Sequence, residues 1–284
     1  MKEIRRILAS QVEDAVCKLF VDANHRLPED VVCALCTARD QETAPLAKDA
    51  LGRICDNMAI SAKRDLPLCQ DTGMAVVFVQ LGDCVVIENG SLNEAIQKGV
   101  ARAYRDGGMR CSIVKDPLYA RVNTEDNTPA IIHLELVAGD TLTITAVPKG
   151  FGSENTAALR MLTPSAGEDD IVSFVVETVK RAGGNPCPPI VIGIGLGSDF
   201  EGVAMLAKKA LLCPLDANND DPAYARLERR ILEVVNESGV GAQGFGGVTT
   251  ALAVHILTAP THIAGLPCAV NINCHVARHA SVTI

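Results

Sequence analysis

The chain has 284 residues, 48% of them hydrophobic and only 3% aromatic, and its formal net charge is −8. This length suits one large domain or two modest ones, and the composition predicts a core of Ala, Val, Ile and Leu. The acidic balance argues against a protein-wide positive field for nucleic acid or anionic lipid. Because no signal segment and no apolar stretch of roughly 18 residues is present, we expect a cytoplasmic protein without a membrane partner.

Apolar periodicity and turn residues predict alternating helices and strands along the chain. We predict helices over residues 2–23, 29–40, 43–60, 92–105, 169–182, 199–211, 222–236 and 248–258. Strands are predicted over 75–80, 84–87 and 190–194, the first two as partners, with a hairpin of 131–137 and 141–147 around Ala138-Gly139-Asp140. The pattern indicates an α+β fold, with helices packed around mixed β-sheets and an aliphatic core, as a single domain over 1–284.

Eleven cysteines in a cytoplasmic chain are expected to be reduced or metal-bound, because disulfides are rare in that compartment. Most of them lie in predicted helices or strands, where a buried thiol packs as a small hydrophobe. We assign that structural role to Cys17, Cys33, Cys36, Cys55, Cys84, Cys213 and Cys268. The role of Cys111, beside Arg110, stays open.

The three remaining cysteines lie in loops that contain helix-breaking residues. They are Cys69 in LPLCQDTG, Cys187 in NPCPP and Cys274 in NINCH. We interpret them as ligands of one iron–sulfur cluster that performs hydration chemistry. Three thiolates leave one iron of a four-iron cluster without a protein ligand, and that iron can polarise a C–O bond as a Lewis acid. The absence of a tight C-x-x-C-x-x-C run disfavours an electron carrier of the ferredoxin type.

Seven segments together carry a resemblance to a known family. They are residues 66–73 (LPLCQDTG), 123–133 (NTEDNTPAIIH), 149–155 (KGFGSEN), 187–189 (CPP), 193–197 (GIGLG), 206–211 (LAKKAL) and 260–274 (PTHIAGLPCAVNINC). With these segments the chain resembles the amino-terminal half, or separate alpha subunit, of class I iron–sulfur fumarate hydratases and L(+)-tartrate dehydratases. The resemblance runs in register from the first helix to the last residues.

The resemblance implies a set of site residues. Cys69, Cys187 and Cys274 would hold a [4Fe-4S] cluster, and the dicarboxylate substrate would contact Gln70, Asp71, Arg110, Gly152 and His262. Asp71 would act as an acid–base group, and the Arg110 guanidinium can donate two parallel hydrogen bonds to a carboxylate. Taken alone, Asp71 would indicate an Asx turn, Arg110 a solvated charge and His262 a structural histidine.

The resemblance also implies a reaction and a partner. We expect reversible hydration of fumarate to L-malate, with L(+)-tartrate dehydration as the alternative. The base that removes the carbon-bound proton would lie in a carboxy-terminal domain, here expected to be a separate beta subunit in a hetero-oligomer such as a dimer of alpha–beta pairs. The isolated chain would then bind a cluster with little turnover. Phe151, where many relatives have glycine, together with Asp199 and Phe200, departs from the common pattern.

Two other functions compete with this interpretation. The run Gly193-Ile194-Gly195-Leu196-Gly197 follows a predicted strand, as in a dinucleotide-binding oxidoreductase, but Ser198 stands where that fingerprint needs its third glycine. A tight strand–helix turn is the simpler explanation of these glycines, and we prefer it. The other alternative is a noncatalytic iron–sulfur or zinc subunit that serves as a scaffold for a partner.

Overall fold

The computed structural model describes residues 4–284. Its helices are α1 (Ala9–His25), α2 (Glu29–Gln41), α3 (Pro45–Arg64), α4 (Leu92–Asp106), α5 (Phe151–Glu154), α6 (Glu168–Ala182), α7 (Phe200–Ala210) and α8 (Pro222–Asn236), with a 3₁₀ turn at Ala242–Gly244. Its strands are β1 (Arg5–Leu8), β2 (Met74–Gly82), β3 (Val85–Glu88), β4 (Ile131–Val137), β5 (Leu142–Lys149), β6 (Ala158–Leu162), β7 (Ile190–Ser198), β8 (Ala251–Thr261), β9 (Leu266–Asn273) and β10 (Ala280–Thr283). The α+β class is confirmed.

The chain divides into two compact units, each with a four-stranded mixed sheet. Unit 1 contains the described residues up to Leu27, then Ala59–Phe151 and Arg278–Ile284, and unit 2 contains Pro28–Met58 and Gly152–Ala277. The organisation as a single domain over 1–284 stays a prediction. None of the described helices is long and apolar enough to cross a bilayer.

The sheet of unit 1 has the order β10-β5-β2-β4, with β2 antiparallel to β5 and parallel to β4. Apolar side chains of α1 and α4 pack on one face of this sheet and form an aliphatic core with only Phe20 and Tyr104 as buried aromatic residues. A separate two-stranded parallel pair joins β1 to β3. The predicted aliphatic core is therefore confirmed in this unit.

The sheet of unit 2 has the order β6-β9-β7-β8, with β7 parallel to β8 and antiparallel to β9. Its core is formed by these strands together with α6 and α8. Helix α7 packs closely on β7, where a Cβ added at Gly193 or Gly195 would lie 2.2 Å from a backbone oxygen of the helix. These glycines lie inside the strand, so close helix packing explains them without a phosphate-binding loop.

Several predicted elements are wrong, in each case because pairing with strands elsewhere in the chain overrides the local sequence pattern. Residues 5–8 form β1 rather than the first turns of a helix, because they pair with β3; residues 2 and 3 lie outside the described part of the chain. Strand β3 therefore does not pair with β2. The predicted hairpin is absent, since β2 lies between β4 and β5. The predicted helix over 248–258 is largely strand β8, whose continuous apolar run is typical of a strand beside a parallel neighbour.

Candidate active site

The loop of residues 66–73 connects α3 to β2 in unit 1 and carries Cys69. Its anchor is the buried Leu68, whose N–H donates to the carbonyl oxygen of Asn24 at 2.9 Å. Cys69 and Asp71 are half-buried, and Gln70 is exposed. The loop therefore presents a thiol, an amide and a carboxylate in succession on a fixed backbone.

Both carboxylate oxygens of Asp71 accept backbone hydrogen bonds. Oδ1 accepts from the Gly73 N–H at 3.0 Å, which is an Asx turn, and Oδ2 accepts from the Phe151 N–H at 2.9 Å. These bonds fix the orientation of the carboxylate. Each oxygen keeps a further lone pair for a substrate or a proton.

A buried polar network supports this loop from below. The Thr72 hydroxyl donates to the Arg110 carbonyl oxygen and accepts from the Arg110 N–H, both at 3.0 Å. The Tyr104 hydroxyl lies 2.8 Å from the carbonyl oxygens of Thr72 and Gly73, and Asn127 donates to that of Gly73 at 3.1 Å. Burial raises the pKa of Tyr104 far above its usual value, so the phenol stays a donor. The network places Arg110, whose side chain is exposed, beside the Asp71 loop.

Arg278 binds the same loop from the far end of the chain. Its buried guanidinium donates through Nη2 to the Asp71 carbonyl oxygen and through Nε to that of Pro148, the latter at 3.4 Å. Its Nη1 is buried and has no hydrogen-bond partner among the described residues. Arg278 therefore ties the loop to the end of β5.

In unit 2, sheet topology brings Cys187 and Cys274 together. Strand β9 runs antiparallel to β7 with Asn273 opposite Val191. Cys274 follows the end of β9 and Cys187 precedes the start of β7, so both lie at the same end of the sheet. Cys187 is exposed with a φ of +54°, and Cys274 is half-buried. A left-handed φ is unusual for a residue other than glycine and often marks a functional position.

His275 and Gln243 hold these two cysteine loops together. The His275 N–H donates to the Cys187 carbonyl oxygen at 3.2 Å, and the imidazole Nδ1 lies 2.9 Å from that oxygen. Gln243 donates to the Pro188 carbonyl oxygen from its backbone N–H at 2.9 Å and from its side-chain amide at 2.7 Å. The backbone around both cysteines is therefore fixed by hydrogen bonds.

The remaining predicted site residues of unit 2 are divided between the two ends of its sheet. Gly152 is exposed, and a Cβ added to it would lie 3.5 Å from the Asn185 carbonyl oxygen, in the segment that leads to Cys187. His262 is exposed in the turn between β8 and β9, where its Nδ1 accepts the Ala264 N–H at 3.2 Å. The length of β9 separates that turn from Cys274 by roughly 25 Å, at about 3.3 Å per residue.

The other cysteines differ in their surroundings. Cys268 is fully buried, and burial raises its pKa to about 12. Burial and the Cys36 thiol, 4.0 Å away, raise the pKa of Cys55 to about 11. The Cys111 thiol donates to the Glu125 carbonyl oxygen at 3.2 Å.

Two of the structural assignments need correction. Cys33 is exposed on α2, so the prediction that it packs in the core is wrong. Cys84 lies in the turn between β2 and β3 rather than in a strand. All eleven cysteines are free of disulfides. Within residues 4–284, no group of three or more His, Cys, Asp and Glu side chains is arranged to hold a single metal ion.

Five residues that support the site were not identified from the sequence: Tyr104, Asn127, Gln243, His275 and Arg278. They bind backbone groups far along the chain, so no local motif marks them. His275 is adjacent to the predicted ligand Cys274, but that position alone did not assign it a role.

Comparison with known proteins shows the family. The family model described as Fumarate hydratase (Fumerase) matches residues 13–283. The chain is 41% identical, over 95% of its length and 96% of the relative, to a Methanocaldococcus jannaschii protein named "Putative L(+)-tartrate dehydratase subunit alpha". It is 31% identical to the L(+)-tartrate dehydratase subunit alpha of Escherichia coli strain UTI89, over 97% of this chain and 91% of the relative.

The α+β fold together with the match to this family model and to these two relatives identifies the chain as a hydro-lyase. The chain belongs to the Fumarate hydratase (Fumerase) family. The resemblance carried by the seven sequence segments is thereby confirmed.

Proposed function

We propose that this chain is the alpha subunit of a [4Fe-4S]-dependent hydro-lyase that reversibly hydrates fumarate to L-malate, with an active site completed by a separate beta subunit. The observation that carries the proposal is the joining of the Cys187 and Cys274 loops at one end of a sheet, in a chain of this family. L(+)-tartrate dehydration is the second candidate, because the two relatives described above are named as subunits of that enzyme.

The proposed cluster ligands are Cys69, Cys187 and Cys274. Each lies in an irregular loop, is at least partly accessible and is free of disulfides, which suits thiolate ligation. Ligands on three different irons lie farther apart than ligands of one ion, so the lack of a single-ion site in residues 4–284 does not conflict with a cluster. When bound, the cluster would supply a Lewis-acidic iron for the substrate hydroxyl and a carboxylate.

The chain's own residues would orient the dicarboxylate and move a proton. Arg110, Gln70 and the exposed backbone at Gly152 are the proposed binding groups, and Asp71, held by two backbone N–H groups, is the proposed proton carrier. His262 lies at the sheet end opposite to Cys187 and Cys274. Its proposed contact with substrate would therefore have to come from a second copy of the chain.

The test is an anaerobic assay of the chain co-expressed with its beta subunit, after cluster reconstitution. We expect hydration of fumarate, dehydration of L-malate and absorbance near 400 nm that bleaches with oxidant. Turnover of L-tartrate alone would favour the second candidate, and full activity of the isolated chain would contradict the divided active site.

A variant of Asp71 distinguishes loss of the chemical step from loss of the cluster in the same assay. Asp71→Asn should retain the absorbance and lose activity by about 100-fold or more, as expected for removal of an acid–base group. Asp199→Asn, at the exposed start of α7, is the matched control and should retain both. A cytoplasmic location and a dimer of alpha–beta pairs stay predictions.

A further inference from the structure

Strand β4 forms one edge of the unit 1 sheet and is unusually apolar for an open edge. Ile131, Leu134 and Leu136 are 38%, 54% and 74% exposed. The opposite edge, β10, has only four residues and carries Ser281 and Thr283. Because a long apolar edge invites pairing with another chain, proteins usually shorten, charge or cover it. The edge at β4 has the length and composition of a strand that is covered in the assembled protein.

The backbone direction of β4 defines which groups are available for pairing. The Val137 carbonyl oxygen accepts the Asp83 N–H at 2.8 Å, next to β2. Since backbone groups alternate along a strand, those of Ile131, His133 and Glu135 also point toward β2. Those of Ile132, Leu134 and Leu136 point to the open edge, where no strand of the described chain is paired.

The sequence of β4 is complementary to itself in the antiparallel direction. When two antiparallel copies of β4 are aligned with Leu134 opposite Leu134, apolar residues lie opposite apolar residues and His133 lies opposite Glu135. The aligned segment is Ile131-Ile132-His133-Leu134-Glu135-Leu136-Val137. The pairs formed by Leu134 with Leu134 and by Ile132 with Leu136 use the outward backbone groups. His133 and Glu135 then meet at the closer, non-hydrogen-bonded positions, where an imidazole N–H can donate a hydrogen bond to a carboxylate.

Neighbouring side chains already hold His133 and Glu135 in place. The His133 ring stacks on Phe78 with centroids 4.9 Å apart, and Glu135 accepts from the Gln80 amide at 3.3 Å. Both therefore lie on the same face of the sheet. Moving the two-fold axis to Glu135 would instead place two glutamates opposite each other, so the alternative register is disfavoured.

We propose that β4 pairs antiparallel with β4 of a second copy of this chain, on a two-fold axis at Leu134. The pairing would form about six backbone hydrogen bonds, two for each hydrogen-bonded pair. It would join the four strands of each copy into one continuous sheet. Because the strand matches itself in both its polar and its apolar positions, a second copy is favoured over a different protein as the occupant. This inference depends on neither the cluster nor the reaction.

The first test measures the mass of the full-length chain by sedimentation equilibrium. Wild type should have twice the chain mass of 30.0 kDa. Leu134→Arg places two cations at the axis and should weaken dimerisation by about 100-fold or more. Leu46→Arg, at a position 69% exposed on α3, is the matched control and should stay dimeric. A monomeric wild type, or a Leu134→Arg protein that stays dimeric, would overturn the proposal.

Two further variants test the register itself. Residues in a hydrogen-bonded antiparallel pair have Cα atoms about 5.5 Å and Cβ atoms up to about 5.5 Å apart, within reach of a short bifunctional thiol cross-linker. Leu134→Cys should therefore be cross-linked into a dimer by such a reagent, above the background of wild type, whereas Leu136→Cys should not. Equal cross-linking of both would contradict this register. If Leu134→Arg instead blocked capture of the beta subunit by a monomeric chain, the edge would belong to that partner and self-pairing would be wrong.

Discussion

The His275 imidazole Nδ1 lies 2.9 Å from the carbonyl oxygen of Cys187, and His275 directly follows Cys274. One side chain thus joins the backbones of two proposed cluster ligands across the end of the unit 2 sheet. The residues that support ligand loops affect how strongly a metal centre is held, typically by 10–100-fold in affinity.

We therefore predict that His275→Ala loses iron to a chelator about 10-fold faster than wild type after anaerobic reconstitution. His275→Asn, whose side-chain amide can still donate to the Cys187 carbonyl oxygen, should lie closer to wild type. The measurement is the decay of absorbance near 400 nm. Identical decay in all three proteins would show that His275 does not support the ligands.

Thr72→Val tests the network beneath the Asp71 loop. The substitution keeps the shape of the side chain but leaves the part-buried N–H and C=O of Arg110 without their shared partner. We expect a loss of about 1–3 kcal/mol in the free energy of unfolding. Thr283→Val, at an exposed hydroxyl that contacts Thr143, should change it by no more than about 0.5 kcal/mol. Urea denaturation measures both, and equal effects would show that the Thr72 hydroxyl does not stabilise the loop.

Gly195→Ala tests the packing of α7 on β7. The added methyl would lie 2.2 Å from the Val203 carbonyl oxygen, so the helix must shift. We expect a destabilisation of about 1–3 kcal/mol, the usual cost of overpacking. Gly52→Ala, in helix α3 with nothing within 4 Å of the added methyl, should stabilise by up to about 1 kcal/mol. A neutral Gly195→Ala in thermal unfolding would contradict the close approach.

The burial of His255 leads us to predict that the free energy of unfolding depends on pH. Burial in β8 lowers the pKa of this histidine below its usual 6.5, so between the two values the unfolded chain binds a proton that the folded chain does not. The free energy of unfolding should therefore fall as pH decreases below about 6.5. In His255→Gln that part of the fall should be absent, whereas exposed His262→Gln should retain it. Urea midpoints at neutral and mildly acidic pH give the comparison.

Helices with clear amphipathic patterns and breakers were predictable from the sequence, as the agreement at α6 and α8 shows. Strand pairing was not. Residues 131–137 and 141–147 have every local feature of a hairpin, but the insertion of β2 between them depends on the core that β2 fills. Strand β8 was missed because burial of its apolar run leaves no alternation to detect.

For the candidate site, too, residues with a local sequence signal were predictable and contacts that depend on the fold were not. The loops of Cys69, Cys187 and Cys274 were identified from proline, glycine and asparagine beside them, which are local signals. Arg278 and Asp71 are far apart in sequence and meet through a side chain and a backbone oxygen, so neither residue type nor spacing marks the contact. The opposite placement of His262 also required the order and direction of the strands.

Whether the three cysteine loops share one cluster can be measured by cysteine alkylation mapped by mass spectrometry, before and after anaerobic cluster reconstitution. We predict that Cys69, Cys187 and Cys274 become protected together in the loaded protein and react again when a chelator removes the iron. Exposed Cys33 should react equally in both forms and provides the internal control. If any of the three proposed ligands reacts in the loaded protein as fast as in the unloaded one, the shared cluster is contradicted.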